Sequence, residues 1–215
     1  MLALLHTSPV HVPVFDALRD TDAPGLPLRH LVRPELLAAA RESGPDAVAE
    51  EVAGELGALV RAGAGAVLCT CSTLGTVAET AGPALGVPVL RVDRPMAAEA
   101  VATGPRIAVL ASVESTLAPT TELIADEARR AGRTARVRTV LVPDAWERFT
   151  AGDQEGSLAA VVDEVRRVRE AGGADVLVLA QASMAPAAER FADDGVPVLA
   201  SPRSGLRAAA RLGRF

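Results

Sequence analysis

The chain has 215 residues, 49% of them hydrophobic, and a formal net charge of -5, which is enough for one large or two small domains with their own cores. An acidic chain with one Trp, no Tyr and 2% aromatics has neither the basic footprint nor the stacking platforms that a nucleic-acid partner requires. No apolar run approaches the roughly 18 residues that cross a bilayer, and Met1 to Leu5 lacks the basic flank of a signal peptide, so a cytoplasmic protein with no membrane partner is expected.

Leu2 to Leu5 reads as a first strand. His6-Thr7-Ser8-Pro9 is the loop into a helix from Val12 to Asp20, with Thr7 and Ser8 as N-terminal hydroxyls. Leu28 to Val32 is a second strand, and Pro34 opens a helix reaching Glu42, since Pro suits a first helical turn. Gly44-Pro45 breaks the chain. From Ala47 to Arg61, Val48, Val52, Leu56, Leu59 and Val60 recur at helical spacing while Glu50, Glu51 and Glu55 face water. This helix feeds Val67-Leu68-Cys69-Thr70-Cys71, a buried parallel strand that ends in a tight turn at Ser72-Thr73. A further helix runs to Ala81. Val87 to Val92 is a strand, placed near a sheet edge by Pro88, and Asp93-Arg94-Pro95 opens a helix to Ala102.

After Thr103-Gly104-Pro105 the pattern restarts with the strand Ile107 to Ser112, then Ser115-Thr116 and a helix to Ala131. Gly63 to Leu74 lies over Gly173 to Met184 at a constant shift, which sets Gln181 on Cys71, and Val87-Pro88-Val89-Leu90 meets Val196-Pro197-Val198-Leu199. The helix before the second copy, Ser157 to Arg169, aligns Leu158, Val161, Val162, Val165 and Val168 on one face. The expected fold is therefore α/β: two pseudosymmetric parallel-sheet halves of flavodoxin or Rossmann type, residues 1–103 and 104–215, with an interdomain cleft. Cys71 and Gln181 would stand on its opposite walls. The C-terminal helix from Ser204 can pack on either half.

In such sheets the strand ends and the helix starts meet at the carboxyl edge, where free N–H groups suit a carboxylate. Cys71 sits at that place. A thiol there serves as general acid or base at carbon, or as a nucleophile. Its plain alternative is an ordinary buried cysteine, the role preferred for Cys69. The two thiols, two apart on one strand, share a side and cannot bond each other undistorted, so no disulfide is expected. Thr7, Ser8, Ser72, Thr73, Ser112, Ser115, Thr116 and Ser183 would ring the same cleft as substrate-binding groups, with helix capping as the competing explanation for each. Arg94 and Arg203 hold equivalent places after the fourth strands and either steer carboxylates or form ordinary ion pairs. His6, His11 and His30 have no metal-ligand spacing with any Cys or acidic cluster. Neither a dinucleotide loop nor a P-loop is present. No metal and no cofactor are expected.

The turn Cys71-Ser72-Thr73, the loop His6-Thr7-Ser8-Pro9, the segment Val87 to Met96 and the loop Ser112 to Thr116 together resemble the aspartate/glutamate (hydantoin) racemase superfamily. Its members carry a C-N-T-like turn in the first half and a G-C-T-like turn in the second. The resemblance spans nearly the whole chain and implies cofactor-free proton transfer at the carbon next to a carboxylate. Carried over, Cys71 is an acid/base and Ser72 and Thr73 the carboxylate seat. The second cysteine is replaced by Gln181, followed by Ala182 in place of a threonine. An amide cannot exchange a proton near neutral pH, so two-base racemisation is not expected. Gln181 would instead donate a hydrogen bond to a carboxylate or enolate oxygen. The resemblance thus leads to an isomerase-like enzyme acting on a small acid, then to a one-thiol decarboxylase or lyase similar to the arylmalonate decarboxylases, then to a non-catalytic small-carboxylate binder. The sequence leaves a homo-oligomer open.

Overall fold

A computed structural model describes residues 1–192 and 195–213. Two compact units are present: Met1–Asp93 together with the chain from Pro202 on, and Arg94–Ser201. Each holds one four-stranded, all-parallel sheet covered on both faces by helices.

In the first unit, β1 (Leu2–His6), β2 (Leu28–Val32), β3 (Ala66–Cys69) and β4 (Val89–Arg91) lie in the order β2-β1-β3-β4. The near-continuous apolar runs of β1 and β3 reflect burial on both faces, as parallel sheets demand. Alternation divides them: Ala3, Leu5, Val67 and Cys69 face a core built with α2 (Pro34–Ser43), α3 (Ala49–Arg61) and α4 (Ser72–Leu85). Leu2, Leu4, Ala66 and Leu68 face Phe15 of α1 (His11–Asp22) and Leu206 and Ala209 of the C-terminal helix (Ser201–Leu212). Strand β4 is an edge, in keeping with Pro88 just before it. Helix α4 outruns the expected stop at Ala81 and contains Pro83; Gly82 packs close under Val89 there, where a Cβ would lie 3.2 Å from the Val89 Cβ.

The second unit repeats the plan. Its strands β5 (Arg106–Ala111), β6 (Arg136–Leu141), β7 (Val176–Leu179) and β8 (Val198–Ala200) are ordered β6-β5-β7-β8. One face packs on α5 (Arg94–Thr103) and α6 (Leu117–Arg130), the other on α7 (Pro143–Thr150), α8 (Gln154–Ala171) and α9 (Ala185–Glu189). Nothing was expected between Ala131 and Ser157, where β6 and α7 lie. Arg136, Arg138 and Thr139 are exposed on β6, so its edge position and charged side chains hide the strand signal.

The packing differs from the expected division at Thr103-Gly104 in one respect. Met96, Ala97, Ala100 and Val101 of α5 are buried with Ile107, Val109 and Ala111, so α5 serves the second unit's core. The C-terminal helix α10 (Ser201–Leu212) covers the first unit's sheet. The expected second half also included residues 214 and 215, which lie outside the described residues. No helix among the described residues is long and apolar enough to cross a membrane.

The seating of α10 generates a paired prediction. A Cβ at Gly205 would lie 2.5 Å from the Val92 carbonyl oxygen, so Gly205→Ala should destabilise the protein by about 1–3 kcal/mol through overpacking against backbone. Gly54, exposed in α3 with open space around it, should gain about 0.5–1 kcal/mol on changing to Ala, because only chain entropy and helix propensity change. Urea unfolding of the two variants beside the parent checks both signs.

Candidate functional site

Strand β3 ends at Cys69, and Cys71 is the N-cap residue of α4, extended at φ -105 and ψ 116. Its side chain makes no capping bond, and its carbonyl accepts the Leu74 N–H at 3.2 Å. The N–H groups of Ser72 and Thr73, the first residues of α4, therefore sit at the open end of the helix, where its dipole favours negative charge. Both side chains are half-buried, and Cys71 is 8% exposed. Cys69 is fully buried with its Sγ 3.6 Å from the Cys71 carbonyl oxygen. Burial, with Cys71 nearby, pushes the Cys69 thiol far up. Both cysteines are free.

Beneath this turn lies an ion pair that sequence reasoning missed. Arg91, opposite Cys69 in the β3–β4 register, is 2% exposed and Asp93 1%. Arg91 Nε donates to Asp93 Oδ1 at 2.7 Å and Nη2 to Oδ2 at 2.9 Å, a bidentate fork. The same guanidinium reaches the Thr76 hydroxyl at 2.9 Å and the Ser72 carbonyl at 3.4 Å. A Cβ at Gly75 would meet Arg91 Nε at 2.8 Å, so glycine is what lets the first turn of α4 rest on the fork. The available signal was an arginine and an aspartate two apart at the end of a buried strand, hence on one face.

The other face of the sheet carries a chain of polar rings. His6 is buried at the end of β1, with Nδ1 2.8 Å from Thr70 Oγ1 and Nε2 2.8 Å from His30 Nδ1. The Thr70 hydroxyl donates to the Leu5 carbonyl at 3.1 Å, so His6 Nδ1–H donates to Thr70 and Nε2 accepts from His30. His30 Nε2 lies 3.4 Å from Asp16. Burial, reinforced by His30 and His11, lowers His6 from 6.5 to about 3, and burial lowers His11 too. Thr70 points away from the face shared by Cys69 and Cys71, so this network braces the strand that carries the thiol.

In the second unit Gln181 stands where Cys71 stands in the first, extended at φ -128 and ψ 141 after β7. Its Oε1 accepts from Ser112 N–H at 2.6 Å, Ser112 Oγ at 2.9 Å and Val113 N–H at 3.1 Å. The loop after β5 is thus a cradle for one sp² oxygen, and the Gln181 carbonyl fills it.

The remaining expected residues fall at the carboxyl ends of their sheets. Thr7 and Ser8 directly follow β1, both half-buried. Ser115 is exposed in a short 3-10 turn, Glu114–Thr116, and Thr116 is 7% exposed at the start of α6. Ser183 is half-buried in the turn Ala182–Met184. Capping explains few of them: Val10 precedes α1 and Thr116 precedes α6, neither with a side-chain cap bond. Arg94 pairs with Asp126 at 2.9 Å and with Glu127, and Arg203 with Asp22 at 2.9 Å, so both are held in ion pairs within their own units. Among the described residues no group of three or more His, Cys, Asp or Glu is placed to hold a metal ion.

A family model described as Asp/Glu/Hydantoin racemase matches residues 12–209. The chain belongs to that family. Solved structures with the same fold include an aspartate racemase homologue from Pyrococcus horikoshii, 14% identical, with a TM-score of 0.69 over 98% of this chain and 97% of that one. Allantoin racemase from Pseudomonas fluorescens is 21% identical, with a TM-score of 0.63 over 99% and 90%. An arylmalonate decarboxylase is 19% identical, with a TM-score of 0.61 over 98% and 91%. No curated protein sequence matches the chain.

Two outcomes are expected from this geometry. Iodoacetamide should alkylate Cys71 well before Cys69, because Cys69 has no exposed surface; peptide mass mapping against time reads the order. For His6, the unfolded chain takes up the imidazole proton near 6.5 and the folded chain only near 3, so between those values the unfolded state binds more protons. Stability should accordingly fall as pH is lowered from about 6.5, by about 1.4 kcal/mol per pH unit for this group. His6→Gln should flatten that part of a urea-midpoint profile.

Proposed function

We propose that the protein is a cofactor-independent enzyme that moves a proton at the carbon next to a carboxylate of a small acid, with the Cys71 thiol as its acid/base. The observation that carries this reading is the cradle of the second unit. Leu5 pairs with Cys69, and Leu110 with Leu179. Two residues beyond each pair come Thr7 and Cys71 in the first unit and, in the second, Ser112 and Gln181, which are hydrogen-bonded to each other; in this reading Thr7 serves Cys71 from the equivalent place. What Ser112 and Val113 hold is a carbonyl oxygen, so Thr7 and Ser8 are the matching seat for an oxygen beside Cys71. A thiol has no such oxygen to offer, and in this reading the substrate supplies it.

In the proposed step the Cys71 thiolate takes the proton from the α-carbon, and the electron pair moves into the carboxyl group, whose oxygens are held by Thr7, Ser8, Ser72 and Thr73. Returning the proton completes an exchange.

A second reading is favoured by the cysteine count. Both cysteines of the chain precede residue 72, so the second unit has no thiol, and its Gln181 amide is neither acid nor base. One-sided protonation suits a decarboxylase: the carbon–carbon bond breaks, carbon dioxide leaves, the electron pair stays on the α-carbon and the thiol protonates it.

Aspartate, glutamate, hydantoins, allantoin and arylmalonates should be incubated in deuterated water with the parent, Cys71→Ser and Thr7→Val. Deuterium at the α-carbon without loss of carbon dioxide supports the isomerase-like reading, and carbon dioxide release with one enantiomer formed supports the decarboxylase. Cys71→Ser should abolish either, and Thr7→Val should lower kcat/KM about a hundredfold. Binding without turnover, or turnover surviving Cys71→Ser, overturns the assignment.

A further inference from the structure

We propose that Ser112 is a positioning residue that aims the Gln181 amide, so that the second unit meets a ligand as a hydrogen-bond donor to an oxygen acceptor. Two of the three groups around the Gln181 amide are backbone N–H groups, those of Ser112 and Val113. These can only donate, so the atom they share is the amide oxygen. Turning the amide over would set its NH2 against both and leave them without an acceptor in a loop where Ser112 is 6% exposed. The Ser112 hydroxyl supplies the third donor at 2.9 Å and completes the saturation of the oxygen, which has two lone pairs.

The consequence lies on the other side of the amide carbon. Nε2 points away from the cradle, and among the described residues it has no partner. Gln181 is half-buried, so both N–H bonds remain available to a ligand while the carbonyl does not. An amide free to turn could serve donor and acceptor ligands alike; one fixed in this way selects. The ligand class is an oxygen acceptor such as a carboxylate or carbonyl, and an ammonium group is not read at this position. Glutamate at 181 would keep an oxygen in the cradle but replace the outward NH2 with a second oxygen, reversing the selection. This inference rests on the reading of Gln181 as a substrate-facing residue, yet it needs no reaction at Cys71.

The full-length protein, labelled with 15N, should be titrated with malonate and separately with methylammonium at matched ionic strength, following the side-chain NH2 pair of Gln181. That pair is identified by its loss in Gln181→Glu. In the parent the two protons should be well separated in shift, move with malonate and ignore methylammonium. Ser112→Ala should narrow the separation and raise the malonate Kd about five- to tenfold, the worth of one hydrogen bond. Ser112→Thr, which keeps the hydroxyl, should restore both. Gln181→Glu should lose malonate binding while unfolding no earlier than the parent. Running the series in Cys71→Ala separates it from the proposed reaction, since removing the thiol ends that reaction and leaves these shifts in place. The inference is overturned if malonate leaves the pair unmoved, if methylammonium moves it, if Ser112→Ala matches the parent in Kd and shift, or if Gln181→Glu binds malonate as tightly as the parent.

Discussion

The last backbone hydrogen bond between the two central strands governs everything at the sheet ends. Thr70 N–H donates to Leu5 O at 2.9 Å in the first unit, and Ala180 N–H donates to Leu110 O at 2.9 Å in the second. Each bond fixes the register of a parallel pair one step before both strands leave the sheet, so the loop after the first strand and the turn after the third emerge side by side. A slip of one residue would turn Cys71 and Gln181 to the opposite face. The apolar runs on both faces of these strands forbid that slip, since each residue already belongs to one core or the other.

On this shared frame the two units differ in what stands at the turn. The first presents a thiol at the mouth of a fourteen-residue helix, seated on the Arg91–Asp93 fork and braced from the other face by His6 and Thr70. Burying that fork costs desolvation, which its bidentate geometry and its bonds to Thr76 and Ser72 offset, and what it secures is the position of the first turn of α4. The second presents an amide whose oxygen is already bound by its neighbours. The same sheet order is present in both units, while the polar groups at the corresponding positions are chemically unlike.

The first unit is discontinuous in sequence. After β4 the chain contributes α5 to the second unit, and after β8 it contributes α10 to the first. Gly205 closes that arrangement at Val92, where only a residue without a side chain fits. The second unit is one contiguous segment, whereas the first completes the face covered by α1 with α10, a segment that the sequence places after the second unit.

Periodicity and punctuation by themselves determined most of the elements. The buried strands, the faces of α3 and α8, the repeat that superposes Cys71 on Gln181 and the hydroxyls at the strand ends are local patterns that burial on one or two faces imposes on a chain. The family resemblance was legible in the same places, because the turns that carry it are contiguous. Tertiary structure alone decided the rest. The assignment of α5 to the second unit depends on which core buries Met96 and Val101, and punctuation at Gly104 carries no such information. Strand β6 was hidden because an exposed, arginine-bearing edge lacks the apolar run that marks a central strand. The Arg91–Asp93 fork, the His6–His30 pair and the Ser112–Gln181 cradle join residues on different strands and loops, and their chemistry comes from distances below about 3.5 Å. Spacing along a chain places a residue on a face; only the register between strands decides which polar atom meets which.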